Sequence, residues 1–285
     1  MVVDGCGFLI SMRLPEVTLF SKGGDRPMKI SLLQLAIDDG ETKQDRIARV
    51  EGLLAKARGA ELILLPEIWN VGYFSFDRYE AESETLAGET VSRLCAKARE
   101  LQAYIFGGSI VERDGDKLYN TAVLIGPAGD LLGAYRKIHL FGYGSEEQKV
   151  LSPGKEIVAV DTPFGKVGLS ICYDLRFPEL FRRLVDRGAE IILNCAAWPY
   201  PRVEHWLLLN RARAIENQSY FLSCCCAGTS RGKAFIGRSQ VIDPWGTVAA
   251  SAAERETVLR AEIHPETVAR VREEFTALKD RVLTI

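Results

Sequence analysis

Hydrophobic positions along the chain alternate between the spacing of a helix and the uninterrupted runs of a buried strand. Met28 opens an apolar run, MKISLLQLA, and Ile47, Val50 and Leu54 then recur at helical intervals until Gly59. A second apolar run, ELILLPE, follows this glycine almost directly. These three segments predict a β-α-β unit that begins at Met28.

The same alternation continues through the rest of the chain. Further helices are predicted in TVSRLCAKARELQ, PELFRRLVDRG and VEHWLLLNRARAIENQ, and further strands in AYIFGGSIV, LYNTAVLIG, GAYRKIHLF, IVAVDTPF, GKVGLSIC, AEIILNCAAW, YFLSCCCAG, SQVIDP and GTVAAS. Apolar strands and helices with one apolar face predict an α/β fold of two packed sheets with helices on both outer faces. A single doubly wound sheet would give a similar pattern.

One short segment of the sequence occurs twice. RGAELILLPE begins at Arg58 and RGAEIILNCA begins at Arg187, and each follows an amphipathic helix and enters an apolar strand. This repetition indicates two related halves. The chain has no linker after residue 27, so we expect one domain over residues 28–285.

Residues 1–27 differ from the rest of the chain in having no sustained hydrophobic period. They end in the segment SKGGDRP, which is rich in residues that interrupt helices and strands. The apolar run GFLISM is short and follows Asp4 instead of a basic region, which argues against a secretory signal. We therefore expect a loosely attached extension over residues 1–27.

Composition and charge exclude several classes of function. The 36 Lys+Arg and 38 Asp+Glu residues give a formal net charge of −2, which disfavours a dedicated binder of nucleic acid or anionic membranes. No stretch of the sequence approaches the 18 consecutive apolar residues that a membrane-spanning helix needs, so none is predicted. The seven cysteines are odd in number and lack zinc-finger spacing, which indicates a reducing compartment. We therefore expect a cytoplasmic protein, not bound to a membrane, that acts on a small molecule.

Cys172 is the first candidate for covalent chemistry. It ends the apolar strand GKVGLSIC, and a turn leads from it into a helix marked by Pro178. Backbone N–H groups and a helix N-terminus would favour a thiolate there, although a buried structural cysteine is the commoner case. If Cys172 used a histidine as its base, His139 or His205 would have to supply it, and a Cys-His hydrolase stays open as an alternative.

Two charged residues also lie in or directly after predicted strands. Glu67 comes after ELILLP, and Lys137 lies within GAYRKIHLF. Taken singly, each could be an ordinary exposed loop charge. Their common position at strand ends suggests that Glu67, Lys137 and Cys172 meet at one edge of a sheet.

The segments LPEIWNVGY, YRKIHLF, LSPG and SICYDLRFPEL, in this order, resemble the nitrilase superfamily of carbon-nitrogen hydrolases. The resemblance extends from about Met28 to at least Val268. It implies a four-layer α-β-β-α sandwich, at least a homodimer, and no metal or organic cofactor. It also implies a catalytic triad of Glu67, Lys137 and Cys172, with a second active-site glutamate at Glu147 or, one residue earlier, at Glu146.

The implied chemistry agrees with these residue types. Glu67 would accept the thiol proton of Cys172 and later deliver it to the departing ammonia, which requires a carboxyl pKa raised by burial. Lys137 and the backbone N–H of Tyr173 would stabilise the oxyanion before a thioester forms. Glu147 would orient Lys137 or the substrate.

Several neighbouring residues have two interpretations each. Arg176 would either bind a substrate carboxylate or pair with Glu179, and Trp198 would either line a pocket or pack in the core. Arg211, Arg213 and Glu216 are spaced as a salt-bridged helix face that is exposed or at an interface, and Cys195 and residues 224–226 lie in apolar strands as small hydrophobic residues.

The segments NCAAWPYPRVEHWLLLNRARAIENQSYF and GRSQVIDPWG are similar to the omega-amidase branch of the superfamily. That similarity implies a short amide with a carboxylate at its far end, held by cationic groups such as Arg176 and Arg202. Alternatives with the same triad are an N-carbamoyl amino acid amidohydrolase and a nitrilase. A non-catalytic scaffold is disfavoured, because all three triad residue types are present.

Overall fold

The structure is a computed structural model in which residues 26–283 are described. Most of the predicted N-terminal extension, residues 1–25, lies outside the described residues. The α-helices are α1 (Lys43–Lys56), α2 (Tyr79–Glu82), α3 (Glu89–Leu101), α4 (Glu147–Val150), α5 (Pro178–Asp186), α6 (Val203–Asn217) and α7 (Thr267–Glu274). Short 3-10 helices cover Phe76–Arg78 and Cys172–Arg176.

The strands follow the apolar runs of the sequence. They are β1 (Met28–Gln34), β2 (Ala36–Ile37), β3 (Leu62–Leu64), β4 (Tyr104–Asp114), β5 (Lys117–Ile125), β6 (Leu131–Arg136), β7 (Ala159–Thr162), β8 (Gly165–Ile171), β9 (Ile191–Ala196), β10 (Tyr220–Cys225), β11 (Ala227–Ser230), β12 (Lys233–Ala234), β13 (Gln240–Ile242), β14 (Val248–Ser251) and β15 (Thr257–Ile263).

Two six-stranded sheets form the centre of the fold. Their strand orders are β15-β1-β3-β4-β5-β6 and β14-β13-β10-β9-β8-β7, and a small sheet, β12-β11-β2, lies beside them. The central strands β1, β3 and β4 are parallel, as are β8, β9 and β10, while the outer pairs are antiparallel. The repeated sequence segments form β3 and β9, which are the middle strands of the two parallel sets.

Alternate residues of the central strands pack into two different cores. Leu62 and Leu64 of β3 point into the core shared with the second sheet, whereas Ile63 points into the core shared with α1 and α3. Helices α5 and α6 pack on the second sheet through residues that include Phe181 and Trp206. The strands are apolar on both faces because each sheet is covered on both faces. The predicted α-β-β-α sandwich is thus confirmed, and the alternative of one doubly wound sheet is wrong.

Local sequence rules explain where the helices begin. Helix α1 follows the N-cap Thr42, whose side chain accepts a hydrogen bond from the backbone of Asp45 in a reciprocal capping box. Helix α5 has Pro178 at its first position, as predicted. Among the helices of residues 26–283, none is long and apolar enough to cross a membrane.

Candidate active site

Four chemically active side chains converge where strands of the two sheets end. Glu67 lies three residues after β3, Lys137 directly follows β6, and Cys172 directly follows β8. Glu147 is the first residue of α4. Glu67, Lys137 and Glu147 are 0% exposed, and Cys172 is 6% exposed. The fold therefore gathers into one buried cluster residues that are up to 105 positions apart in the sequence.

Lys137 lies between the two glutamates. Its Nζ is 2.8 Å from Glu67 Oε1 and 2.9 and 3.0 Å from the two carboxylate oxygens of Glu147. Glu146, the alternative second glutamate, is exposed and pairs with Lys149 instead. The structure thus brings Glu147 to Lys137.

Neutral groups donate further hydrogen bonds to both carboxylates. The backbone N–H of Ala197, just after β9, donates to Glu67 Oε2 at 2.8 Å. The Tyr73 hydroxyl donates to Glu147 Oε2 at 3.1 Å. The Asn120 amide donates to Glu67 Oε1 at 2.8 Å and to Glu147 Oε1 at 3.0 Å. Tyr73 and Asn120 were not predicted from the sequence, although an asparagine inside the apolar strand LYNTAVLIG was a usable signal.

The electrostatics of the cluster follow from burial and from these pairs. Burial raises the pKa of Glu67, and the charge of Glu147 raises it further, against the opposing effect of Lys137. Burial alone would lower the pKa of Lys137, but Glu147 and Glu67 together raise it well above its ordinary value. The site therefore favours the ammonium form of Lys137 and makes the Glu67 carboxylate more basic than an exposed glutamate.

The surroundings of the Cys172 thiol oppose the effect of its local turn. Burial and the neighbouring Glu67 carboxylate raise its pKa well above the ordinary cysteine value, and the thiol hydrogen bonds with Glu67. The turn favours a thiolate, whereas desolvation and the nearby negative charge both disfavour the anion. These surroundings favour a neutral thiol in contact with the Glu67 carboxyl.

The backbone turn at Cys172 is held by a buried carboxylate that the sequence analysis also missed. Cys172 has φ 44°, a left-handed conformation that costs energy for a residue with a side chain. Asp174 accepts hydrogen bonds from the backbone N–H of Ile171 at 3.0 Å and from the Tyr135 hydroxyl at 2.7 Å. It also contacts the His139 ring, with Nδ1 at 2.7 Å. Asp174 thus joins the turn at Cys172 to the segment that carries Lys137.

A small pocket opens onto Cys172. It is lined by the three residues that the sequence analysis assigned to substrate binding or support, together with aromatic, small and cationic neighbours: Tyr73, Phe141, Cys172, Tyr173, Arg176, Ala197, Trp198, Pro199 and Arg202. The pocket therefore has a reactive end, formed by Cys172, and a wall that carries two arginines.

The two arginines lack acidic partners in the part of the chain that the structure describes. The Arg176 guanidinium lies 4.8 Å from the centre of the Trp198 ring, and its Nη2 is 3.2 Å from Nδ1 of His205. Arg202 lies 5.4 Å from the centre of the Phe141 ring. Burial and, to a lesser extent, the charge of Arg202 lower the pKa of Arg176. The alternative pairing of Arg176 with Glu179 is wrong, because within residues 26–283 the guanidinium contacts His205 and aromatic rings.

Trp198 combines both of its expected roles. It lines the pocket, its Nε1 donates to the Arg202 carbonyl at 2.9 Å, and its ring packs 5.4 Å from that of Trp206 in the core. One face of the pocket is therefore held rigidly by the hydrophobic core.

The histidines proposed for the Cys-His alternative have other contacts. His139 is paired with Asp174 and stacks on Phe177 at a centroid distance of 3.8 Å. His205 contacts Arg176. The group that contacts the Cys172 thiol is instead the Glu67 carboxyl, which favours a carboxylate base.

Helix α6 only partly matches its expected character. The predicted ion pair between Arg213 and Glu216 is present at 2.8 Å. Arg213 is nevertheless buried and donates twice to the Leu175 carbonyl, at 3.0 and 2.8 Å, so the expectation of an exposed or interfacial face is wrong for this residue. Cys195 and residues 224–226 are fully buried in β9, in β10 and just after β10.

Comparison with known proteins agrees with this architecture. The family model described as carbon-nitrogen hydrolase matches residues 29–273. The chain is 36% identical over 262 residues to a 2-oxoglutaramate amidase of Paenarthrobacter nicotinovorans, covering 89% of each chain. It is 37% identical over 265 residues to the omega-amidase NIT2 of Mus musculus, covering 89% of this chain and 94% of the relative.

The fold is also similar to solved structures. The structure of Saccharomyces cerevisiae Nit3, a member of the nitrilase superfamily, superposes with a TM-score of 0.83 at 32% sequence identity. The match covers 90% of this chain and 97% of that chain. Since the family model spans most of the chain and relatives above 30% identity cover nearly all of it, the chain belongs to the carbon-nitrogen hydrolases of the nitrilase superfamily.

Proposed function

We propose that this protein is an amidase that hydrolyses a small amide carrying a carboxylate at its far end. The observation that carries the proposal is the pocket itself, which has Cys172 at one end and Arg176 and Arg202 in its wall, with Glu67 behind Cys172 and in contact with its thiol. The reactive end suits attack on an amide carbonyl, and the cations suit an anionic substrate.

The first half of the reaction forms a thioester. Glu67 accepts the thiol proton of Cys172 as the sulfur attacks the carbonyl carbon of the amide. The carbonyl π electrons move to oxygen, and the ammonium of Lys137 and the backbone N–H of Tyr173 stabilise that oxyanion. Glu67 then transfers its proton to the amide nitrogen, the carbon-nitrogen bond breaks, and ammonia leaves.

The second half of the reaction restores the enzyme. Glu67, again a carboxylate, accepts a proton from water as the water oxygen attacks the thioester carbon. The carbon-sulfur bond breaks, the proton returns to the Cys172 sulfur, and the carboxylic acid leaves. One water is consumed, and one acid and one ammonia are released.

Glu147 acts on Lys137 in this scheme. Its two oxygens lie 2.9 and 3.0 Å from Lys137 Nζ, and they keep the ammonium charged and directed towards the reacting centre. Because Glu147 balances the charge of Lys137, Glu67 can alternate between its neutral and charged forms during the cycle without leaving Lys137 unpaired.

The distal carboxylate is assigned to the two arginines. Arg176 and Arg202 both line the pocket, and a guanidinium without a carboxylate partner is a suitable donor for a substrate carboxylate. The relatives named as a 2-oxoglutaramate amidase and an omega-amidase support this substrate class for the present chain.

The deciding experiment measures ammonia release from 2-oxoglutaramate, succinamate, butyramide, N-carbamoyl-β-alanine and butyronitrile at one pH. We expect the two carboxylate-bearing amides to have the highest kcat/KM. A tenfold or greater preference for butyramide or for the carbamoyl compound, about 1.4 kcal/mol in transition-state energy, would contradict the substrate class.

A matched pair of variants tests the two arginines. Arg176→Leu should raise KM for succinamate far more than for butyramide, because only succinamate presents a carboxylate. Arg183→Leu, on α5 outside the pocket lining, serves as the control and should leave the ratio of the two kcat/KM values unchanged. An equal loss for both substrates in Arg176→Leu would show that Arg176 is only structural.

A further inference from the structure

Asn120 contacts every charged member of the buried cluster. Its Nδ2 lies 2.8 Å from Glu67 Oε1 and 3.0 Å from Glu147 Oε1. Its backbone carbonyl accepts a hydrogen bond from the backbone N–H of Lys137 at 2.8 Å. Asn120 itself lies in β5 and is fully buried. One residue therefore contacts both carboxylates and the chain segment that carries the ammonium.

The chemistry of the site determines which way the amide is turned. Ionised carboxylate oxygens only accept hydrogen bonds, so the NH₂ group, with two donors, has to face them. The other amide atom, Asn120 Oδ1, has no hydrogen-bond partner among the described residues. All hydrogen bonds that the Asn120 side chain makes within the described residues therefore come from its NH₂ group.

The two donated hydrogen bonds address an electrostatic problem. Glu67 and Glu147 are two carboxylates that share one ammonium, so the cluster carries one excess negative charge when both are ionised. An amide supplies two hydrogen bonds to ionised oxygens without adding any charge, which reduces the repulsion between them. It also holds Glu67 Oε1 towards Lys137, while Oε2 accepts from Ala197.

We propose that Asn120 is a positioning residue that holds Glu67 as an ionised base next to Cys172 by donating to both buried glutamates. The inference rests on the proposed function, because it assigns Glu67 the role of base. Asn120 itself acts only through the two glutamates and through the backbone of Lys137.

Other titratable groups also surround the Glu67 carboxyl. They are Lys137, Glu147 and Cys172 in direct contact or closest to it, and Tyr73, Tyr79, Cys195, Cys225 and Cys226 farther away. A change at Asn120 replaces none of these groups and removes side-chain hydrogen bonds only from Glu67 and Glu147, so a shift in the pH profile would report the loss of the two amide hydrogen bonds.

The test uses Asn120→Leu, which keeps the branched shape of the side chain but cannot donate a hydrogen bond. The dependence of kcat/KM on pH is measured for the best amide of the substrate panel. Without the two donated hydrogen bonds, Glu67 takes up its proton at a higher pH. The acidic limb of the pH profile of kcat/KM should therefore move to higher pH by about one unit. At any fixed pH on that limb, kcat/KM should fall by up to about tenfold.

A matched control comes from α6. Asn217 is also a fully buried asparagine whose Oδ1 lacks a partner within the described chain, but its amide donates to the Arg213 carbonyl at 2.9 Å and to Glu216 Oε1 at 3.4 Å, and to neither buried glutamate of the cluster. Asn217→Leu should leave the acidic limb where it is in the wild type. If Asn120→Leu does not fold, Asn120→Ala replaces it and should show the same shift. An acidic limb that does not move in the folded Asn120 variant overturns the proposal, even if the rate is lower.

A second measurement separates this inference from the proposed function. If the wild-type chain releases ammonia from none of the amides, the proposed function is refuted. The role of Asn120 would then be tested by the reactivity of the Cys172 thiol. Alkylation of Cys172 by iodoacetamide, followed by mass spectrometry at a series of pH values, also depends on Glu67 as the base. Its onset should move to higher pH in Asn120→Leu, and an identical onset in variant and wild type would overturn the assignment of Asn120.

Discussion

Replacing Glu67 by glutamine tests the proposed base with almost no change in side-chain shape. Glu67 accepts hydrogen bonds from Lys137, Asn120 and the backbone of Ala197, each at 2.8 Å, and it contacts the Cys172 thiol. A glutamine can keep its oxygen towards two of these donors, but its NH₂ group then faces a third donor. It cannot accept the thiol proton at all.

The expected effect on activity is much larger than the effect on stability. General base catalysis contributes about 10²–10⁴ in rate, and here the same group also protonates the leaving nitrogen. We therefore expect kcat/KM to fall at least about a thousandfold, or about 4 kcal/mol. The one mismatched donor costs about 1–3 kcal/mol of stability, and this is partly offset because the excess negative charge of the cluster disappears.

The assay is ammonia release by Glu67→Gln with thermal unfolding measured alongside. Glu146→Gln is the control, because Glu146 is exposed and pairs only with Lys149 among the residues described, and it should keep activity within about twofold. A folded Glu67→Gln protein with more than about a tenth of wild-type kcat/KM would refute the assignment of Glu67 as base.

The pH dependence of the wild type gives a second check on Glu67. Burial, the largest cause, raises the pKa of this carboxyl, so the base form is lost as pH falls through a value above the ordinary range for glutamate. The acidic limb of kcat/KM should therefore lie above that range and be absent from the residual activity of Glu67→Gln. An acidic limb at an ordinary glutamate pKa would contradict the buried position of the base.

Other predictions concern the nucleophile, the ammonium, the N-terminal segment and the assembly. Cys172→Ala should retain less than about a hundredth of wild-type kcat with an unchanged fold, and mass spectrometry of the wild type should trap a thioester on Cys172. Lys137→Arg should not restore the activity lost in Lys137→Ala, because a planar guanidinium does not fit a fully buried site that holds a compact ammonium. Full activity in Lys137→Arg would show that Lys137 is not at the oxyanion. Removing residues 1–27 should leave kcat and Tm nearly unchanged, and a fall of many degrees in Tm would show that this segment packs on the fold. Leu208 and Ile215 of α6 are exposed beside α5 and should form part of a homodimer contact. Sedimentation at micromolar concentration should give a dimer, and Leu208→Glu should weaken it. A wild-type monomer would contradict this prediction.

The sequence alone determined the class of the fold and the identity of the main chemical groups. Hydrophobic periodicity predicted the helices and strands, because a buried strand and an amphipathic helix each impose a local pattern on the residues that form them. Pro178 marked the start of α5 for an equally local reason. The motifs around Glu67, Lys137 and Cys172 stand at strand ends, and strand ends are visible in the sequence.

Only the tertiary structure decided how these groups act on one another. Periodicity could not distinguish one sheet from two, because a strand is apolar on both faces whether a helix or a second sheet covers it. The contacts of Asn120 and Asp174 depend on partners as far as 53 and 39 residues away, so no local pattern reveals them. The protonation state of Cys172 also depends on distant residues. Its local turn favours a thiolate, but burial and the carboxylate of Glu67, which the fold brings from another sheet, make the neutral thiol more stable.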